Sequence, residues 1–276
     1  MTTRPEQQRE TFFAEIGRRR LVMGILNLTP DSFSDGGRYV DVEAAVAQAR
    51  GMAEAGAAMI DIGAESTRPG AREISAEDEW LRLAPALGQL VAEIDTPLSI
   101  DTYKAQTARR ALACGVCLVN DVWGLQRDPD MAAVVADSGA ALAIMHNRHG
   151  VDPALDIVEE MQRFFDASLT LADRAGVARN RILLDPGIGF GKTLAQNLKA
   201  LQATDVLSAR DGLPLLIGVS RKRLFGDLLG APVEARLIGT LAANLATATR
   251  GAALFRVHDV AEHVAAFKIL DAIDGA

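Results

Sequence analysis

Short runs of apolar, often β-branched residues alternate along the chain with longer stretches whose apolar positions recur every three or four residues. The short runs read as eight strands, at 21–26, 58–63, 97–100, 116–119, 141–145, 181–184, 215–219 and 252–257. The stretches between them predict helices over 42–56, with Asp41 as its cap, then 76–93, 103–114, 129–138, 154–176, 194–208, 233–250 and 259–273. Strands that are apolar throughout belong to a sheet covered on both faces, and eight helices supply that cover. The pattern fits an α/β fold, a closed (β/α)8 TIM barrel forming one domain over residues 1–276 with its core at about 21–273. Residues 5–17 read as an additional N-terminal helix closing the barrel floor. An open doubly wound sheet is the alternative, but its first strand-to-helix turn carries a glycine fingerprint, and here that turn reads Asn27-Leu28-Thr29-Pro30.

Composition narrows this picture. With 49% apolar and only 5% aromatic residues, the core is expected to be aliphatic. A net charge of −7 excludes nucleic acid and acidic membrane surfaces as partners, so any anionic ligand must be met by a few placed cations. The apolar run after Arg18, Arg19 and Arg20 covers only 21–26, too short for a signal-peptide core or a membrane span, which predicts a cytoplasmic protein. Cys114 and Cys117 straddle the predicted helix end at Gly115 and have no further metal ligands nearby. They read as small apolar fillers in a reducing compartment rather than as a redox or zinc pair.

In such barrels the chemistry projects from the carboxyl ends of the strands. The residues that close the apolar runs are Asn27, Asp61 with Glu65 beyond it, Asp101, Asn120 with Asp121, His146, Asp185, Ser220 with Lys222, and Arg256 with His258. Lys222, Arg256, His258 and Arg68 supply cations suited to phosphate groups. Asp101, Asp185, Asn120 and Asn27 supply acceptors for a nitrogen-rich ring or oxygens for a divalent metal. One amide oxygen from Asn27 together with a diphosphate is a reasonable magnesium site, because magnesium keeps its waters and leans on substrate phosphates.

Three loops carry more than caps. Residues 29–37, with Pro30, two acids and a Gly pair, read as a mobile lid; residues 65–70 place Arg68 on a turn stiffened by Pro69. Residues 185–193 look like a nucleotide P-loop, but the G-x-x-x-x-G-K-T spacing asks for glycine at position 186, which is Pro186. That loop reads instead as a barrel turn whose backbone comes close to a flat ligand. His146 and His149 are assigned loop roles rather than a metal pair, His263 a surface position, and Trp80 and Trp123 packing roles, with Trp123 close enough to Asn120 to border the site.

The segments Asn27 to Gly37, Glu65 to Gly70, Asp185 to Lys192, Ser220-Arg221-Lys222 and Arg256-Val257-His258 together resemble the dihydropteroate synthase family over roughly residues 21–270. The resemblance implies a folate-pathway transferase that joins 6-hydroxymethyl-7,8-dihydropterin diphosphate to 4-aminobenzoate, uses Mg2+, pairs as a homodimer through late helices and is a sulfonamide target. It implies that Asp101, Asn120 and Asp185 hold the pterin ring with Lys222 beside it and Met145 packed near it, and that Arg256 stacks on the ring or reaches the phosphates. It also implies a diphosphate and magnesium end at Thr67, Arg68, Asn27 and His258, and a 4-aminobenzoate pocket at Phe33, Pro69, Phe190 and the Lys222 backbone. The chain departs from the family pattern at Ala64 and Arg223. A pterin-binding methyltransferase-type barrel has no use for the diphosphate end, and a non-catalytic pterin-binding protein has no use for the whole polar ring.

Overall fold

The computed structural model describes residues 3–29, 42–67 and 71–275. Helix α1 (Arg4–Glu15) comes first, opened by Thr3 and Glu6 in a reciprocal capping box with Pro5 in the first turn. Then follow β1 (Leu21–Asn27), α2 (Val42–Glu54), β2 (Met59–Gly63), α3 (Ala76–Glu93), β3 (Leu98–Asp101), α4 (Ala105–Cys114), β4 (Leu118–Asp121), α5 (Met131–Ser138) and β5 (Ala141–Met145). The second half runs through α6 (Ile157–Ala175), β6 (Ile182–Asp185), α7 (Leu194–Gln202), α8 (Thr204–Asp211), β7 (Leu215–Ile217), α9 (Arg223–Leu229), α10 (Leu237–Ala248), β8 (Ala252–Val257) and α11 (Val260–Asp274). Each strand pairs in parallel with the next and β1 pairs with β8, so the sheet closes into a barrel in chain order. None of the described helices is long and apolar enough to cross a membrane.

The expected TIM barrel is therefore present, with local differences. Several strands run on beyond their expected ends to include the polar residue that follows: Asp101 pairs with Asn120, Asn120 with Ala143 and Met145 with Asp185 in the ladders. The site residues are themselves sheet members, so apolar runs stop short of the hydrogen-bonded strands. The helix expected over 194–208 is two helices with a break at Ala203, and a short helix, α9, follows β7 where none was expected. Asp41 lies outside the described residues.

Side chains alternate across the barrel wall with period two. Outward residues such as Ile60, Ile62, Ile100, Leu142, Leu184 and Phe255 pack under the helices in the main core. Inward residues of the lower half, including Leu21, Met23, Met59, Ala141, Leu183, Leu216 and Leu254, form a second apolar cluster that Phe12 of α1 seals from below. The floor helix is held to the rim by Arg4, which donates to the Val91 carbonyl at 2.9 Å and to Asp95 Oδ1 at 2.8 Å. Cys117 lies buried in this cluster, its thiol pushed up to about 12 by burial, which agrees with a filler role; Cys114 is exposed and fills no core space, and both cysteines are free. His263 departs from its expected surface position. It is fully buried, because 260, 263 and 267 share the inward face of α11, and its Nδ1 lies 2.6 Å from the Asp259 carbonyl.

Because Phe12 plugs only the floor, Phe12→Ala should cost about 3 kcal/mol, lowering Tm by roughly 6–12 °C, while turnover at permissive temperature persists. Thermal melting checks this; an unchanged Tm would mean that α1 does not complete the core.

Candidate active site

Above the apolar half, the inward positions turn polar. Asp61 is not at a strand end, as the apolar-run reading had it, but in the middle of β2, one layer below the mouth. It is fully buried and accepts from Ser99 Oγ, from Asn120 Nδ2 at 3.0 Å and from Arg256 Nε at 2.5 Å. Arg256, inward on β8, also donates through Nη2 to Asp101 Oδ2 at 2.7 Å. One guanidinium thus joins β8 to β2 and β3, and the two carboxylates keep it charged against the effect of burial. Burial pushes Asp101 up to about 7, and Arg256 opposes the rise.

This arrangement leaves two acceptors unused. Asp101 Oδ1 and Asn120 Oδ1 are buried without a hydrogen-bond partner, on residues paired across the β3–β4 ladder. A buried polar atom left unpaired costs on the order of 1–3 kcal/mol, so neighbouring bare acceptors at a barrel mouth mark a place for ligand N–H groups.

Asp185 closes β6. Its Oδ1 accepts the Gly187 N–H at 2.7 Å, burial raises its carboxyl above the usual range, and Lys222 opposes that rise. Gly187 has φ +63°, and a Cβ there would fall 1.9 Å from the His146 carbonyl oxygen, so only glycine lets the sixth loop lie against the fifth. Lys222 donates to the Ile188 carbonyl, and its Nζ lies 4.6 Å from the centre of the Phe190 ring. Burial pulls the Lys222 ammonium down to about 8, and Asp185 opposes the fall. Lys222 is placed by its neighbour. Arg221, at φ +56°, donates its N–H to Thr240 Oγ1 at 3.2 Å, receives Arg236 Nη1 on its carbonyl at 3.0 Å and pairs through its own guanidinium with Asp259.

Among the remaining expected site residues, Met145 packs with Tyr103 and Val122, and with Trp123 and Phe190 at the edge of that cluster. His258 follows β8, with Nδ1 2.9 Å from Ser220 Oγ. Asn27 ends β1, half-buried. Thr67 is half-buried in the second loop, where Glu65 anchors the chain by accepting from the Ile74 N–H at 3.0 Å and from Lys104. Phe33, Arg68 and Pro69 lie outside the described residues.

Two members of the expected ring do not face it. Asp121 turns into its own loop, accepting from the Trp123 and Leu125 N–H groups at 2.8 and 2.7 Å. His146 is buried on the helix side, against the Phe164 ring at 4.9 Å and bonded to Lys192. Each immediately follows an inward residue, so the period-two alternation was the signal that separates them. Trp123 borders the site as expected, stacked on His149 at 4.3 Å. The residues missed in sequence were those that act on other site residues: the buried hub role of Asp61, Lys192 and the Arg221–Asp259 pair.

The sequence profile described as "Pterin binding enzyme" matches residues 23–258. A dihydropteroate synthase of Clostridium beijerinckii is 43% identical over 259 residues, covering 94% of this chain and 96% of that protein. The crystal structure of the Clostridium difficile dihydropteroate synthase in the presence of pteroic acid superposes with a TM-score of 0.91 at 44% identity, covering 94% of this chain and 98% of that one. The Xanthomonas albilineans dihydropteroate synthase with 4-aminobenzoic acid gives a TM-score of 0.89 at 44% identity, covering 94% and 95%. With the profile spanning the barrel from β1 to the residue after β8, the chain belongs to the pterin binding enzyme family.

Proposed function

We propose that this chain is a dihydropteroate synthase, which joins 6-hydroxymethyl-7,8-dihydropterin diphosphate to 4-aminobenzoate and releases pyrophosphate. The observation that carries the reading is the pair of bare buried acceptors, Asp101 Oδ1 and Asn120 Oδ1, beside Asp185. A pterin presents ring N–H and amino donors along one edge, and a site built to receive them rejects rings that lack them. Asp101, Asn120 and Asp185 form the floor for that edge, Met145 packs near the ring, and Lys222 stands beside it.

In the reaction the amine nitrogen of 4-aminobenzoate gives its electron pair to the methylene carbon. The carbon–oxygen bond breaks toward the diphosphate, and the amine loses a proton. Positive charge developing on the methylene is conjugated into the ring, where Asp101 and Asp185 are the nearby anions. Arg68, Thr67 and His258 take the diphosphate end, while Arg256, already tied to Asp61 and Asp101, is better placed to shape the ring pocket than to leave it for the phosphates. Phe190 and the Lys222 backbone, with Phe33 and Pro69, receive the benzoate, the position for which sulfonamides compete.

Magnesium belongs to this proposal. No hydrogen bond among the described residues engages the Asn27 side chain, and no described cluster of His, Cys, Asp or Glu offers a metal cage, which fits an ion held mainly by diphosphate and water with one amide oxygen. Asn27 would hold it, and it would supply charge neutralisation for the leaving group.

We also propose a homodimer in the reducing cytoplasm, where two unpaired thiols are at home. Leu228, Leu229 and Ile238 are exposed by 50%, 61% and 78% beside an apolar groove between α7, α9 and α10. That patch suits a second copy better than water. Sedimentation should give a dimer that Leu229→Asp with Ile238→Asp dissociates; a monomeric wild type would remove this assignment.

The test of function is pyrophosphate release from the pterin diphosphate with and without 4-aminobenzoate. Sustained release is expected only with both substrates and magnesium, should stop with EDTA while the Tm holds, and should fall by about a hundredfold or more in Asp185→Ala. Release that ignores 4-aminobenzoate would contradict the synthase reading, and a rate indifferent to EDTA would remove Asn27 as a metal ligand.

A further inference from the structure

The P-loop-like segment leaves one residue without a role in this scheme, Lys192. It is only 7% exposed, and its Nζ lies 2.8 Å from the Gly187 carbonyl, 3.1 Å from the Phe190 carbonyl and 2.7 Å from His146 Nδ1. An ammonium has three donors and no acceptor, so these three partners use it completely. His146 must then accept through Nδ1 and carry its proton on Nε2. The imidazole is kept neutral by burial, reinforced by the charges of Lys192 and Arg148. A phosphate-binding lysine needs a free ammonium, and this one has none to offer.

What Lys192 binds is the loop itself. Gly187 and Phe190 are turned onto Lys192, and Ile188 between them is turned onto Lys222. The loop closes further through Phe190 N–H to the Gly187 carbonyl at 3.1 Å and Gly189 N–H to Asn197 Oδ1 at 2.6 Å. Asp185 has one anchor that does not pass through Lys192, its pairing with Met145 in the β5–β6 ladder, and a second in the N–H of Gly187, whose carbonyl Lys192 holds. Among the described residues, Phe190 has no such second anchor on its carbonyl.

We infer that Lys192 is a positioning residue for the amine half of the reaction: with His146 as its third acceptor, it fixes the backbone of Phe190 and so the ring against Lys222, and it binds no phosphate. This rests on the functional reading above. Removing it should damage recognition of 4-aminobenzoate and spare that of the pterin diphosphate, because of the two carbonyls released Gly187 keeps the Phe190 N–H on its oxygen while Phe190 keeps no donor among the described residues, and Asp185 keeps its place in the β5–β6 ladder.

The experiment measures KM for each substrate and kcat by pyrophosphate release in the wild type, Lys192→Met, His146→Leu and His146→Asn. Lys192→Met keeps the length of the side chain and removes its donors. The KM for 4-aminobenzoate should rise roughly tenfold to a hundredfold, with the KM for the pterin diphosphate within about twofold of wild type. His146→Leu, which removes one acceptor, should show the same selective rise to a smaller degree. His146→Asn, whose amide oxygen can stand where Nδ1 stood, should restore the wild-type value. If Lys192→Met does not fold, the two His146 variants decide the matter. A wild type that fails to release pyrophosphate with both substrates overturns the functional reading and this inference with it. With an active wild type, unchanged KM values, equal rises for both substrates or a loss confined to the pterin diphosphate overturn the inference alone. So does an Asn variant as impaired as the Leu variant.

Discussion

The guanidinium of Arg256 reaches across the inside of the barrel to Asp61 on β2 and Asp101 on β3, and the upper half of the molecule is organised around that bridge. Two carboxylates and one guanidinium, all but closed off from water, are expensive to bury, and such a group holds together only when nearly every polar atom is bonded. Asp61 meets that condition with donors from Ser99, Asn120 and Arg256. Asp101 meets it with one oxygen and not with the other, and Asn120 gives its amide hydrogen to Asp61 while its oxygen stays bare. The network therefore fixes two acceptors in place without satisfying them, which is what preorganisation for a ligand requires.

The sixth loop solves a related problem with cations. Its sharp turn presents carbonyls at 187, 188 and 190, and two half-buried or buried lysines, one from the loop and one from the segment after β7, collect them. Lys222 is shared between this structural duty and the substrate side; Lys192 is committed wholly to the loop. The left-handed backbone of Arg221 is the local cost of aiming Lys222, and Thr240, Arg236 and Asp259 hold it there. Rigid support on both sides of the ring pocket fits a reaction in which developing charge must be met by groups already in position.

Much of this was legible in the chain. The eight alternations gave the barrel and its polar strand ends, Asp101 and Asn120 among them, and motifs that include Asp185, Lys222 and Arg256 carried the family resemblance. What escaped had physical reasons. Strands ended too early in the reading because a run of apolar residues marks burial, whereas Asn120 and Asp185 are buried polar members of the ladder. Asp61 was assigned to the mouth because it breaks an apolar run, yet its layer depends on register with Ile25 and Ser99, which no local pattern encodes. The failed P-loop spacing at Pro186 removed a phosphate role for the sixth loop but gave Lys192 no other, because its partners include His146, forty-six residues away in sequence. His263 read as surface beside Glu262, although its spacing from Val260 and Phe267 already placed it inward.

The central claim is that the polar floor is built for the donor edge of a pterin. Calorimetric titration of 6-hydroxymethylpterin, which carries the ring without the diphosphate, addresses that floor without help from metal, loops or the second substrate. Saturable binding to the wild type is predicted, weakened by about tenfold to a hundredfold in Asp101→Asn and in Asn120→Leu, as expected when a buried acceptor is lost or reversed. Equal affinity in the wild type and in both folded variants would contradict the account.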